Sequence, residues 1–293
     1  MKALGYYISL PFLYFLSILP IRILYCISDV AFILLFHVIG YRKKIVFVNL
    51  QNSFPGKSET ELRQIMHGFY RYLCDLFIET IKALTMSKKF IVSHCTFSTE
   101  AKVLFDDYYD QKKSIIVVMG HFGNWEWAGL SFPLICKQQL QVIYHPLSNK
   151  YFNEMVIHIR TRFGTKLISM PDTFKEMVRS RKSVTATVFI ADQTPSPDNA
   201  YWTTFLNQQT PVFRGTETIA KKMNYPVVFA SVRRVERGRY EIMAKTLFEQ
   251  PAQTTENEIT EAHTRALEKE ILKLPEIWLW SHRRWKHARR IGQ

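Results

Sequence analysis

The sequence is short of acidic residues and of cysteine, and it contains no clean, uninterrupted apolar span. Only 25 Asp and Glu stand against 39 Lys and Arg, giving a formal net charge of +14. Such an excess points to an acidic partner, whether nucleic acid, an anionic membrane or an acidic carrier protein. The four cysteines, Cys26, Cys74, Cys95 and Cys136, form no C-x-x-C pair. That spacing argues against a disulfide framework or a zinc site and fits a reducing compartment, with the thiols used as small buried hydrophobes. H-E-x-x-H is also missing, and no internal repeat or low-complexity tract is present. No metal and no cofactor is therefore expected from the motifs. What the chain does have is apolar bulk. Of its 293 residues 47% are hydrophobic and 14% aromatic, enough for a sizeable core in one large domain or two small ones.

Tyr6 to Ile39 is mostly apolar, but Pro11, Pro20, Arg22 and Asp29 interrupt it. Neither half supplies about 20 clean apolar residues. Pro20 is expected to divide the segment into two helices. Arg22 and Asp29, on one helical face, are placed to pair. No small-residue cleavage site follows, which argues against a removed signal peptide. Basic "YRKK" at Tyr41–Lys44 comes next, as expected on the cytoplasmic side of an anchor. The expectation is an uncleaved anchor over 1–40 that spans or lies in the membrane, followed by a catalytic domain over 41–293.

Further on, Pro55-Gly56 marks a turn, and Ser58 with Glu61 forms a capping box before a long amphipathic helix. From residue 114 strand-like and helix-like segments alternate. Strands are expected at Ser114–Met119, Leu140–Tyr144, Val184–Ile190, Val227–Val232 and Tyr240–Lys245. Helices are expected at Trp125–Cys136 (kinked near Pro133), Tyr151–Phe163, Thr173–Ser180, Thr216–Met223 and Glu256–Leu274. This alternation predicts an α/β fold, a mostly parallel sheet flanked by helices, with ligands gathered beyond the carboxyl ends of the strands.

One such strand end reads "SIIVVMGHFGNWEWAGL", Ser114 to Leu130. His121 and Glu126 are five apart, about 140° around an ideal helix, so they meet only if His121 lies in the turn and Glu126 in the first helical turn. Gly120 and Gly123 permit a tight turn, Asn124 suits an N-cap, and Glu126 suits a helix N-terminus. A carboxylate on one imidazole nitrogen would leave the other free to take a proton from an alcohol. The same spacing is equally that of a structural turn with a capping Glu.

"GHFGNWEWAG" resembles the H-x-x-x-x-D/E motif of the lysophospholipid acyltransferase superfamily, and most of all the late, lauroyl and myristoyl, acyltransferases of lipid A biosynthesis, where Glu in place of Asp is typical. "YRKKIVFVNLQNSFPGKSETE", "ADQTP", "FRGTETIAKKMNYPVV" and "PEIWLWSHRRWK" are similar to segments of that family, in the same order and over nearly the whole chain. The resemblance implies acyl transfer from an acyl carrier protein or coenzyme A thioester to a hydroxyl of a membrane lipid, at a bacterial inner membrane with the catalytic domain on the cytoplasmic face. His121 would be the general base and Glu126 its orienter. A lysophospholipid or aminolipid acceptor stays open, because such a dyad acts on any hydroxyl. A non-catalytic membrane-binding protein is the reading from another class.

Four other stretches carry candidates. In "IRTRFG" either Arg160 or Arg162 matches the arginine the family carries here, and Arg162, next to "FG", is preferred. Asp192, with Gln193, lies just past a strand, where the resemblance implies acceptor binding or architecture. Arg214, Gly215 and Thr216 open a helix whose free amides suit an anionic group or an oxyanion. "WLWSHRRWKHARR" sets Arg283, Arg284, Lys286, Arg289 and Arg290 among Trp278, Trp280 and Trp285. That composition suits anionic headgroups or an acidic carrier protein; a nucleic-acid partner is not expected beside an anchor. His282 and His287 read as surface residues. The residues around Trp125, Trp127 and Leu130 are candidates for the wall of an acyl groove.

Overall fold

The computed structural model describes residues 2–287. Two apolar helices come first, α1 (Lys2–Ile18) and α2 (Ile21–Ile33), the latter continuing through a π-helical turn, Leu34–Ile39. Pro20 stands between them at the N-cap of α2, as its missing N–H and fixed φ favour. Then follow α3 (Lys43–Ser53), α4 (Glu59–Lys82), α5 (Lys88–His94), β1 (Cys95–Phe97) and α6 (Thr99–Asp110). In the capping box of α4, Ser58 and Glu61 bond each other's backbone amides.

The alternating part comprises β2 (Ile115–Met119), α7 (Trp125–Ile135), β3 (Gln139–Tyr144), α8 (Lys150–Thr161), β4 (Lys166–Ser169), α9 (Thr173–Arg179) and β5 (Thr185–Ile190). A hairpin of β6 (Tyr201–Phe205) and β7 (Gln208–Val212) interrupts it, and α10 (Gly215–Met223), β8 (Val227–Glu236), β9 (Arg239–Phe248) and α11 (Glu258–Lys273) complete it. The expected strands and helices are present with ends moved by a few residues. Pro133 lies inside α7 without ending it. The short strands β1 and β4 and the hairpin were not expected; at three to five residues they have too little alternation to show.

Seven strands form one sheet in the order β1-β9-β8-β2-β5-β3-β4. β8, β2, β5, β3 and β4 are mutually parallel, and β9 runs antiparallel to β8. All five residues of β2 are buried, as a central parallel strand covered on both faces requires. Ile116 and Val118 face a core layer that includes α4, α10 and α11; Ile115, Val117 and Met119 face the layer of α6 and α7. The helices that follow the neighbouring strands β2 and β5 thus lie on opposite faces. This is a topological switch point, where a crevice opens beyond the strand ends.

The N-terminal helices pack on α4 through Leu16, Leu24, Ile78 and Ile81. Asp29 does not pair with Arg22; it bonds Arg237 at 2.8 Å, across to the β8–β9 turn. The outward faces are apolar and exposed at Ile8, Phe12, Phe15, Ile18, Val30, Ile33, Leu34 and Val38. Ile21–Ile39, at 19 residues and mean hydropathy 1.9, is long and apolar enough to cross a membrane by length and composition. Of the cysteines, Cys74, Cys95 and Cys136 are buried and Cys26 is exposed.

Candidate active site

β2 and β5 pair in parallel with a constant separation of 71 residues, from Ile115↔Ala186 to Met119↔Ile190. Each chain then runs two residues past its last paired position, and those residues are His121 and Asp192, which share that separation. Register alone therefore brings them side by side. Asp192 accepts the His121 backbone N–H on Oδ2 at 2.8 Å, and its Oδ1 lies 2.6 Å from the imidazole Nδ1. The indole N–H of Trp278 donates to Oδ2 as well, at 2.8 Å. Burial by itself would raise the Asp192 pKa, but the facing His121 and these donors overcome it and hold the carboxyl at about 2. The His121 ring packs edge-on against Trp125, with centroids 4.8 Å apart, and its Nε2 lies 3.4 Å from the Gln193 side-chain amide.

The turn after β2 is shaped from behind. Gly123 has φ +63°, and a Cβ there would stand 2.0 Å from the Val232 carbonyl oxygen, so only glycine fits. Its own carbonyl accepts from Tyr72 Oη at 2.7 Å, and its N–H donates to Ile277 O at 3.0 Å. Asn124 caps α7 by accepting from Trp127 N at 2.9 Å.

The orienting bond expected between His121 and Glu126 goes instead to Asp192. Glu126 lies in the first turn of α7 and faces α8, where both of its oxygens accept from Arg160, Oε2 from Nε at 2.9 Å. Burial would raise the Glu126 pKa, but the Arg160 guanidinium lowers it below the usual carboxylate value; Glu126 in turn raises that of Arg160 against burial. Of the two arginines, Arg160 lines the cavity described below and Arg162 does not. Arg162, two residues on, donates to the carbonyls of Ala83 and Met86 and ties α8 to the end of α4.

A cavity of about 850 Å³ opens beyond the strand ends. His121, Glu126, Arg160, Gln193, Gly215 and Thr216 line its polar part, and it runs inward to Phe105, Val117, Phe132, Leu140, Ala230 and Ile242. Trp125 contributes to the wall, whereas Trp127 and Leu130 are core residues outside it. α10 begins at Gly215 with no side-chain cap, and its first two residues, Gly215 and Thr216, line this space. Arg214 itself is exposed and pairs with Glu256 outside the cavity. Among the described residues no group of three or more His, Cys, Asp and Glu side chains is arranged as metal ligands.

The carboxyl-terminal stretch is part core and part surface. Trp278, Trp280 and Arg284 are buried, and Arg284 donates to Pro211 O at 2.8 Å. Arg283 and Lys286 are exposed, as is His287, while His282 is half-buried. Arg289 and Arg290 lie outside the described residues. The sequence did not single out Tyr72, did not set Trp278 apart from its basic neighbours, and did not pair Asp192 with His121. The equal two-residue overhang past β2 and β5 points to the last only once those two strands are known to pair.

Comparison with known proteins identifies the family. The chain is 24% identical over 254 residues, 86% of its length and 81% of the relative's, to the lipid A biosynthesis palmitoleoyltransferase of Escherichia coli (strain K12). The same figures hold for the lipid A biosynthesis acyltransferase of Shigella flexneri. Residues 1–287 match the bacterial lipid A biosynthesis acyltransferase family, so the chain belongs to that family and is an acyltransferase.

Proposed function

We propose that the protein moves a fatty acyl chain from an acyl carrier protein or coenzyme A thioester to a hydroxyl of a lipid A precursor, with His121 as general base. The observation that carries the mechanism is the Asp192–His121 pair at the cavity wall, with Nε2 3.4 Å from the side-chain amide of Gln193, another lining residue. With Nδ1–H donated to Asp192, the lone pair of Nε2 takes the hydroxyl proton as the oxygen attacks the thioester carbonyl. The tetrahedral intermediate collapses, the C–S bond breaks, and the thiolate recovers the proton from the His121 imidazolium. No acyl-enzyme is needed, and Asp192 stays ionised throughout. The amides of Gly215 and Thr216 suit an anionic group, and Arg160, held by Glu126, supplies a cation at the wall. The apolar depth suits the acyl chain; burying about ten methylenes is worth about 8 kcal/mol before costs.

The lipid A acceptor rests on the family and on the names of the relatives, since the dyad itself acts on any hydroxyl. The exposed apolar faces of α1 and α2 favour membrane association. Tyr25, Ser28 and Asp29, within α2, bond residues of the catalytic body, which favours helices lying in the interface over a span. The basic Arg42–Lys44 stretch supports a cytoplasmic face, and the net charge of +14 suits an acidic carrier protein. Mass spectrometry of lipid A from a deletion strain tests the whole. One acyl chain should be missing and return with wild type but not with His121→Ala. An unchanged acylation pattern would reject the acceptor.

A further inference from the structure

Helix α4 carries a fully buried carboxylate, Glu79, that does not line the cavity. Its Oε1 accepts from Tyr25 Oη, and its Oε2 from Asn124 Nδ2 and Tyr240 Oη, each at 2.7 Å. Its backbone carbonyl accepts from Trp127 Nε1 at 3.0 Å. Burial pushes the Glu79 carboxyl up to about 7, opposed by the three side-chain donors. A buried carboxylate is tolerated only when its oxygens are so satisfied, and removing one donor leaves the rest strained for partners.

The donors come from elements with different work. Tyr25 belongs to α2, whose outer face is apolar and exposed. Asn124 is the N-cap of α7 and immediately follows the turn that holds His121. Its amide is planar, so fixing Nδ2 on Glu79 also fixes Oδ1 on the Trp127 N–H. α2 is seated beside this point by Ser28 on Asp75 at 2.7 Å and Asp29 on Arg237 at 2.8 Å. The β8–β9 turn closes over Tyr25 so tightly that a Cβ on Gly238, at φ +77°, would stand 2.3 Å from its hydroxyl.

Resting on the reading of His121 as the base, we propose that Glu79 is a positioning residue that couples the seating of the apolar helix α2 to the geometry of the catalytic turn, through Tyr25–Glu79–Asn124. No proton moves along this chain; it transmits position. A helix displaced from α4 withdraws the Tyr25 hydroxyl, frees the Glu79 carboxylate and slackens the cap that orders the start of α7.

The test uses the full chain with both substrates, in lipid vesicles. Tyr25→Phe deletes one hydroxyl. It should lower kcat about tenfold, read well below the thermal midpoint, which drops by a few degrees for the lost hydrogen bond, while KM and vesicle flotation stay near wild type. Asn124→Ser keeps a cap oxygen, loses the amide donor and should give a similar fall. In the double variant kcat should stay near that of the worse single, because both changes cut one chain, whereas independent effects would multiply to about a hundredfold. Gly238→Ala, which displaces Tyr25 from another element, should reproduce the loss of kcat. Wild-type kcat in Tyr25→Phe, or a multiplicative double variant, overturns the coupling. An active His121→Ala overturns the base assignment alone, and the non-multiplicative pair still reads the coupling.

Discussion

His121 Nδ1 lies 2.6 Å from Asp192 Oδ1, and the two residues occupy equivalent positions beyond neighbouring parallel strands. A dyad built on strand register inherits the rigidity of the central sheet. Its carboxylate is further pinned by a backbone N–H and an indole N–H. Asp192 is thus restricted to one orientation, which is the preorganisation the proposed base, His121, would need.

The first prediction separates the two carboxylates near His121. His121→Ala and Asp192→Asn should each lower kcat by about 10²–10⁴ with folding retained. Glu126→Gln should cost much less in kcat if its task is to hold Arg160. Initial rates of acyl transfer, with circular dichroism as the control for folding, decide it. A Glu126→Gln loss as large as that of Asp192→Asn would restore Glu126 to the dyad.

The second concerns the Glu126–Arg160 pair. It is largely but not fully buried, so breaking it from one side should destabilise by about 1–3 kcal/mol, below the range for fully buried pairs. Arg160→Met should be worse than the double variant Arg160→Met/Glu126→Leu, because the single leaves a carboxylate unpaired. Urea unfolding of the three proteins gives the comparison; equal midpoints would show the pair to be inert.

Much of this was legible in the sequence, for stated reasons. β2 reads as a strand because five consecutive apolar residues end at a glycine turn, and Asn124 reads as a cap from its place before an apolar helix. What could not be read was partnership across the chain. Glu126 is five residues from His121 and Asp192 is 71 away, yet helix geometry turns the near carboxylate toward Arg160 while the sheet delivers the far one. Arg160 and Arg162 likewise differ by two positions, hence by about 200° around α8, and only packing decides which faces the cavity. Trp278 was indistinguishable from its basic neighbours because an indole suits a core, an interface or a hydrogen bond to a buried carboxylate.

The third prediction is a pH effect on stability. His263 is buried in α11, and burial pushes its pKa down to about 4. A depressed folded-state value means that the unfolded chain binds the proton more readily. The contribution is therefore fully present above about 6.5 and is lost as pH falls toward about 4. Wild type should lose up to about 3 kcal/mol more than His263→Leu over that window. Denaturant midpoints at pH 7, 5.5 and 4 check it; parallel pH dependences would reject it.

The last prediction addresses the apolar helices. Phe12 and Phe15 are exposed on α1, away from its contacts with α4. If that face lies in a membrane interface, each ring contributes about 2 kcal/mol to partitioning. Phe12→Gln and Phe15→Gln should each weaken vesicle binding at least tenfold, and the double variant more than a hundredfold, because separate side chains add. Anionic vesicles should bind more tightly than neutral ones, with added salt removing the difference. Activity on a micellar acceptor should survive in these variants, since neither ring lines the cavity, while activity on a vesicle-embedded acceptor should fall with binding. Retention on vesicles through an alkaline wash, in the double variant as in wild type, would instead place a helix across the bilayer. Ile21–Ile39 is the segment long enough to do it, and it would have to carry Tyr25, Ser28 and Asp29 into the membrane with their partners still bound.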